Sequence, residues 1–457
     1  MLITISNTAV ISNLSEPEKQ LIQKSLTVPN PIYNKKSEMG LSLWNIPLHL
    51  EYYEELDKNT LVVPVGIIPD LVSKLLESGS EISANDIIDL RLQHSDKKYF
   101  STLNFSGTLR DYQEEMVKIC LSKTLGVIEA MTGSGKTITF VKLILERKVS
   151  TIITVDTIEL ANQTIKSLCK FSNLQESEVG FIGNGKFIVK PISVALLQTL
   201  NTLNDDKFKI LNDTFGQVIA DEVHKIAAST YYAVMNRFKA KYKFGFSATP
   251  FRADGLTDVI HFATGPKIYI APKEKLENVL INPTYKQVET TYSFPLFASS
   301  EYQDMISDMA TNKARNDLIV KLVKEQYADN FVCLLCSRQE QVKVLTKELG
   351  DKACMLLSSI SKKERKQTIH DLNEKKKQYV VSTYGLFSTG IDIPHLDVAI
   401  LCAPMKSEVV LRQTAGRLMR KAENKTSALI VDIVDNQVSL LKNQARIRSR
   451  IFKKLSK

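Results

Sequence analysis

The sequence predicts an α/β protein in which parallel sheets are flanked by helices, preceded by a smaller α/β domain. Three observations carry that expectation. The stretch 125–137, LGVIEAMTGSGKT, passes from a short apolar run through a glycine-rich turn into a segment with helical spacing, ITFVKLILERK. Apolar runs (TIITVD, ISVALLQTL, residues 215–220, YKFGF) then recur between helix-like segments, the pattern of strands buried on both faces. From about Lys286 the alternation begins again, so a second such layer follows the first.

Length and composition set the bounds. The 457 residues suit about three domains of roughly 150 residues each. No apolar run approaches the ~18 residues that span a bilayer. The first residues, MLITISNTAV, lack a basic region followed by an apolar stretch, so the expectation is a cytoplasmic protein without membrane association. A net charge of +10 favours a polyanionic partner. Basic residues cluster at 362–377 and again from Gln437 onward, where seven Lys or Arg occur without an acid. Each cluster is read either as a solvated face or as nucleic-acid contact. Cys333 and Cys336 form a C-x-x-C, but in a strand residues i and i+3 face opposite ways, so no shared metal is expected.

Residues 1–105 contain short β-like runs and two helices, one capped by Ser15 with Glu18 completing a capping box, the other from Pro69 through Glu77. For Trp44, Tyr33, Tyr52 and Tyr53 core packing is the expected role, with base stacking as the alternative.

The glycine-rich stretch is a phosphate cradle. Gly133, Ser134 and Gly135 let successive N–H groups turn toward an anion, and Thr132 precedes them. Lys136 neutralises phosphate oxygens and Thr137 can hold Mg²⁺ at a helix N-terminus. Upstream, LRDYQ puts Arg110 and Gln113 in place to read an adenine edge. The strand 215–220 delivers Asp221-Glu222-Val223-His224. Asp221 can hold Mg²⁺, Glu222 can orient and deprotonate water, and His224 can relay the nucleotide state. Ser247 and Thr249 end the next strand as a hinge whose hydroxyls can switch partners. Thr157, Gln198 and Thr199 leave strand ends where open α/β sheets bind ligands, and are candidates for a nucleic-acid backbone. Helix capping accounts equally well for Thr157.

The motifs EAMTGSGKT, ADEVH and GFSATPFRADG, in this order, resemble motifs I, II and III of superfamily 2 helicases, and Ala130 at the head of the first fits the variant of that superfamily. The branch most similar includes XPB-type helicases and the recombination helicases of tailed phages. Asp156 departs from it, standing where proline is frequent. The resemblance implies two tandem RecA-like domains, assigned here to 106–283 and 284–457, with 1–105 as a DNA-recognition domain. It implies ATP and Mg²⁺ as cofactors, and Arg252 as a DNA contact. In the second half, FVCLLCSR resembles motif IV, with Ser337 and Arg338 at the strand end. QYVVSTYGLFSTGIDIP resembles motif V, with Thr383 near DNA and Gly390 and Asp392 facing nucleotide. QTAGRLMR resembles motif VI: on one helix, Gln413, Arg417 and Arg420 share a face, offering two guanidiniums to the γ-phosphate. The expected activity is unwinding or branch migration of forked and four-way DNA, alongside other recombination or replication proteins. The rivals are an RNA helicase, a restriction-type translocase and an ATP-gated junction clamp.

Overall fold

The computed structural model describes all residues except 132, 224–227, 249–254, 273–274, 276–279, 296–300, 389–392, 424 and 456–457. His224, Thr249, Arg252, Gly390, Asp392 and Thr132 therefore lie outside the described residues. The chain divides into two compact units, the larger comprising Met1–Met131 and Gly135–Pro272, the smaller Thr132–Ser134 and Lys273–Lys457.

The larger unit holds two layers. Its first is a five-stranded sheet in the order Glu54–Asp57, Thr60–Pro64, Thr8–Ser12, Leu2–Ile5, Ile87–Asp89, antiparallel but for the last pair. Alternation along Leu2–Ile5 and Thr8–Ser12 turns Ile3, Ile5, Ala9 and Ile11 inward, against the helices Glu16–Ser25 and Ile68–Glu77. The expected capping box forms: the Ser15 backbone N–H and hydroxyl both donate to Glu18, at 2.8 and 2.7 Å. Trp44 departs from the expectation of core packing. It is 90% exposed, because the excursion that carries it folds away from this core.

The second layer is an eight-stranded sheet, in the order Lys186–Ile188, Gly180–Gly183, Ile192–Leu196, Thr151–Val155, Gln217–Asp221, Tyr242–Ser247, Leu125–Glu129, Lys267–Ile270. Only its first edge pair is antiparallel. The two layers share a core, since Leu125 and Phe262 pack with Ile3, Leu61 and Leu71. Leu92 bridges Ala240, and Asn7 donates to the Asn236 carbonyl at 2.9 Å. Gly66 permits the closest approach: a Cβ there would lie 2.2 Å from the carbonyl oxygen of His261.

Lys243 lies within this unit, fully buried, with its ammonium donating to the Met235 carbonyl at 2.9 Å. Burial, with Arg91 adding repulsion, lowers its pKa to about 7. The unfolded chain thus holds one more proton than the folded chain between about pH 7 and the ordinary lysine value near 10.5. Stability is therefore expected to rise with pH across that window, by up to about 1.4 kcal/mol per pH unit from this group. Chemical denaturation of Lys243→Met should show a flatter profile; an unchanged slope would remove Lys243 as its source.

The smaller unit is built on a six-stranded parallel sheet: Thr284–Glu289, Leu429–Val434, Val398–Leu401, Val332–Cys336, Tyr379–Thr383, Ala353–Leu356. Cys336 packs with Val332 and Leu334 on one face of its strand, and burial pushes the thiols of both Cys333 and Cys336 up. Among the described residues no cluster of three or more His, Cys, Asp or Glu is placed to hold a metal. Arg315 is buried and clamps Asp435 with two bonds, of 2.9 and 3.1 Å, while its third nitrogen donates to the Cys402 carbonyl. Asp435→Ala would strand that guanidinium, so a loss of about 3–5 kcal/mol is expected on denaturant titration. Retained stability would mean that the site relaxes to admit water.

The basic C-terminal stretch is a helix, Ser439–Leu455, rather than a tail. Arg448 is excluded as a nucleic-acid contact because it is buried, with its Nε bonded to both Asp432 oxygens at 2.9 and 3.0 Å. Lys442, Arg446, Arg450, Lys453 and Lys454 remain exposed on the other face.

Candidate active site

The site forms where neighbouring strands of the eight-stranded sheet end. Leu125–Glu129, Tyr242–Ser247 and Gln217–Asp221 lie side by side, with Ser247 opposite Glu129 and Asp221 opposite Phe246. Two bonds continue the ladder past the strands: Ala130 N–H donates to the Ser247 carbonyl, and Glu222 N–H to that of Phe246, both at 2.8 Å. The phosphate turn and the acidic pair therefore leave one edge on fixed backbones.

Gly135 begins the helix Lys136–Arg147 at φ +82°, and Gly133 has φ +88°, left-handed values suited to glycine. The turn thus presents N–H groups at the positive end of a twelve-residue helix. Ser134 is buried, and Thr137 is the second residue of the helix. Gln113, itself buried, accepts from the Arg110 N–H at 2.9 Å and holds its amide nitrogen where a Cβ on Gly135 would be 2.4 Å away. Residue 135 must be glycine for that amide to lie against the turn. Arg110 is the N-cap residue of the helix Asp111–Ser122, which carries Gln113, and donates to the Tyr112 hydroxyl at 3.4 Å.

Lys136 and Glu222 meet. The ammonium is 2.7 Å from the carboxylate, and both side chains are about one-tenth exposed. Sequence reasoning gave the two separate roles and missed this contact, because residues so far apart in the chain carry no signal of it. Glu222 has φ +53°, an uncommon value for a residue with a side chain. Asp221 ends its strand in a buried position. With Thr137 it offers hard oxygen donors of the sort Mg²⁺ accepts alongside phosphate oxygens.

Other expected positions fall on strand exits as well. Thr157 accepts from Leu160 N–H at 3.3 Å and so caps the helix Ile158–Lys170. Gln198 and Thr199 lie on a short helix, Leu197–Asn201, because their strand stops at Leu196. In the smaller unit Thr383 is opposite Cys336, so Ser337, Arg338 and Thr383 share one edge of that sheet. Arg338 donates to the Gln303 side chain at 2.6 Å.

The QTAGRLMR segment departs from its helical expectation. The helix Glu408–Leu418 carries Gln413, buried, and Arg417, half-buried. It ends before Arg420, which pairs instead with Leu280 in an antiparallel bridge. Arg420 is therefore oriented by a bridge and not by the i+7 position of a helix. Lys425, unmarked in the sequence reading, holds that helix end: its ammonium donates to the Leu418 carbonyl and, at 3.1 Å, to that of Pro394. Burial lowers its pKa to about 8, and Arg420 adds to that while Asp397 opposes it.

Residues 106–252 match the family described as the res subunit of type III restriction enzymes, and residues 314–422 match the helicase conserved C-terminal domain. The chain is 27% identical over 368 residues to a protein of Acanthamoeba polyphaga mimivirus provisionally named ATP-dependent RNA helicase L396, covering 77% of this chain and 69% of that one. It is 25% identical over 406 residues to the DNA 3'-5' translocase XPB2 of Sulfurisphaera tokodaii, covering 80% and 88%. In fold it is similar to S. cerevisiae Dbp5, with a TM-score of 0.54 at 15% identity, over 76% of this chain and 93% of that one. These matches identify a nucleic-acid-dependent ATPase, built on parallel sheets flanked by helices as in two-RecA-domain helicases. The chain belongs to superfamily 2 of the helicases and resembles the XPB and phage members.

Proposed function

We propose that this helicase is a DNA motor that unwinds or branch-migrates forked and four-way DNA in recombination, repair or replication, in the cytoplasm of a bacterial or phage-infected cell. The observation that carries its motor chemistry is the gathering of Gln113, Gly135, Lys136, Asp221 and Glu222 at one sheet edge. In this reading Lys136 neutralises the phosphates, Glu222 takes a proton from the attacking water, and Thr137 and Asp221 hold Mg²⁺, which would offset the charge on the phosphates. Arg417 and Arg420 serve the γ-phosphate, with Gln413 coupling them to the rest of the motor. His224, Ser247 and Thr249 pass on the nucleotide state, and Gly390 and Asp392 face nucleotide. Thr157, Gln198, Thr199, Arg252, Ser337, Arg338 and Thr383 hold the DNA backbone. Residues 1–105 act in DNA recognition, 106–283 as the first motor domain and 284–457 as the second.

The XPB2 relative supports DNA, and the mimivirus relative's name supports RNA as the second reading. ATP turnover with matched DNA and RNA separates them, and stimulation by RNA alone overturns the DNA reading. Strand displacement on a fork is the companion measurement, since turnover without separated product would favour an ATP-gated clamp. Contacts to a phosphate backbone carry little sequence information, so binding should be sequence-tolerant and weaken with salt.

A further inference from the structure

Residues 30–48 form an excursion from the first layer, closed at its neck by the two-stranded ribbon Thr27–Pro29 with His49–Glu51. Its helix, Pro31–Glu38, buries none of its residues. Ile32, Met39, Leu41, Trp44 and Leu48 are each at least half exposed, and Trp44, the only tryptophan of the chain, is exposed to 90%. Exposed apolar side chains concentrated in one short segment point to an interaction site.

The excursion is preformed. At the neck Asn30, nearly fully buried, accepts from Ile32 N–H at 3.0 Å and donates to the Pro47 carbonyl at 2.8 Å, while its own N–H donates to the Leu48 carbonyl at 3.0 Å. At the tip Gly40 and Asn45 take φ +63° and +60°, and Leu41 and Ile46 N–H groups donate to Lys36 and Leu43. Immediately past the neck, Tyr52 packs edge-on to Tyr232 at 5.0 Å and against Phe262 at 5.5 Å. Tyr232 belongs to the helix Ala228–Arg237, which follows the DEVH segment. The finger is thus fixed to the layer that holds the phosphate turn.

We propose that this finger is a wedge: Trp44, on the same excursion as the exposed Met39 and Leu41, inserts among the bases where a DNA duplex opens. The inference rests on the reading of the chain as a DNA motor. Apolar side chains that part stacked base steps, and aromatic rings on which bases stack, are the chemistry such a tip presents. Lys35 and Lys36, in the last turn of the finger's helix, supply positive charge for the flanking phosphates. A stable protein partner commonly needs about 20–30 residues a side, more than this narrow tip offers.

The sole tryptophan reports directly on its own surroundings. An unlabelled DNA fork should quench its emission in the full-length chain, over the same concentration range in which a labelled fork binds by anisotropy. In Trp44→Ala, base pairs opened per ATP hydrolysed should fall about 5- to 150-fold, the weight of one base–ring stack, and Trp44→Phe should restore most of that loss. Fork binding without quenching overturns the wedge and leaves the motor standing. Absence of both fork binding and DNA-stimulated turnover overturns the motor reading and the wedge with it. A shift of emission that grows with protein concentration in the absence of DNA would assign the finger to a second copy of the chain, and quenching by an RNA fork alone would move it to RNA; either result overturns the proposal.

Discussion

Replacing Glu222 by Gln is expected to cut ATP turnover about 10²–10⁴-fold, the range for loss of a general base, without weakening nucleotide binding. The reason is the buried ion pair. Lys136 is already committed to the Glu222 carboxylate at 2.7 Å, so it reaches a phosphate only by giving up that partner. The exchange sets one anion against another, and binding is weakened by the cost of separating the pair. Glutamine keeps the shape but not the charge, so ATP should bind on the order of tenfold more tightly, about 1.4 kcal/mol. Lys136→Ala has the opposite effect on binding. It leaves Glu222 without its cation beside an incoming triphosphate, so affinity and turnover should both be lost while the fold is kept. Titration with a fluorescent ATP analogue, alongside turnover, distinguishes the two variants. Weaker nucleotide binding by Glu222→Gln would mean that the pair does not compete with phosphate.

The parallel sheets and the phosphate turn are legible in the sequence because their signals are local. Apolar runs such as TIITV need no partner to be recognised as buried strands, and GSGKT states its own backbone requirement. The capping box at Ser15 and Glu18 is equally local. What escapes is whatever depends on distant residues. Arg448 belongs to a run that looks like a charged surface, yet its helix turns it onto Asp432. Trp44 looks like core because tryptophan commonly is, yet Asn30 folds its segment outward. The Lys136–Glu222 pair and the seam at Gly66 exist only once strands and helices are assembled. Even local periodicity fails at Arg420, where the helix stops two residues short because Leu280 takes up the chain that follows.

That early helix end bears on the second large effect. Arg417→Ala and Arg420→Ala are each expected to lower hydrolysis by about 10³–10⁵-fold, the value of an arginine supplied to a γ-phosphate, with nucleotide binding retained. The two guanidiniums rest on different backbone supports. Arg417 is set by the helix Glu408–Leu418, whose end is held by Lys425. Arg420 is set by the bridge to Leu280, reinforced by the Ile281 N–H donating to the Met419 carbonyl at 2.7 Å. Were the two on one helical face, each substitution would disturb the placement of the other. Resting on separate supports, each can be replaced without shifting the backbone of the other, while in the proposed reading both act at one phosphate. Groups that act as a unit show strongly non-additive losses, so the double variant should fall little further than the worse single one. Losses that multiply would give the arginines unconnected roles. Unchanged hydrolysis in Arg420→Ala would take that residue out of phosphate chemistry and leave Arg417 to carry it.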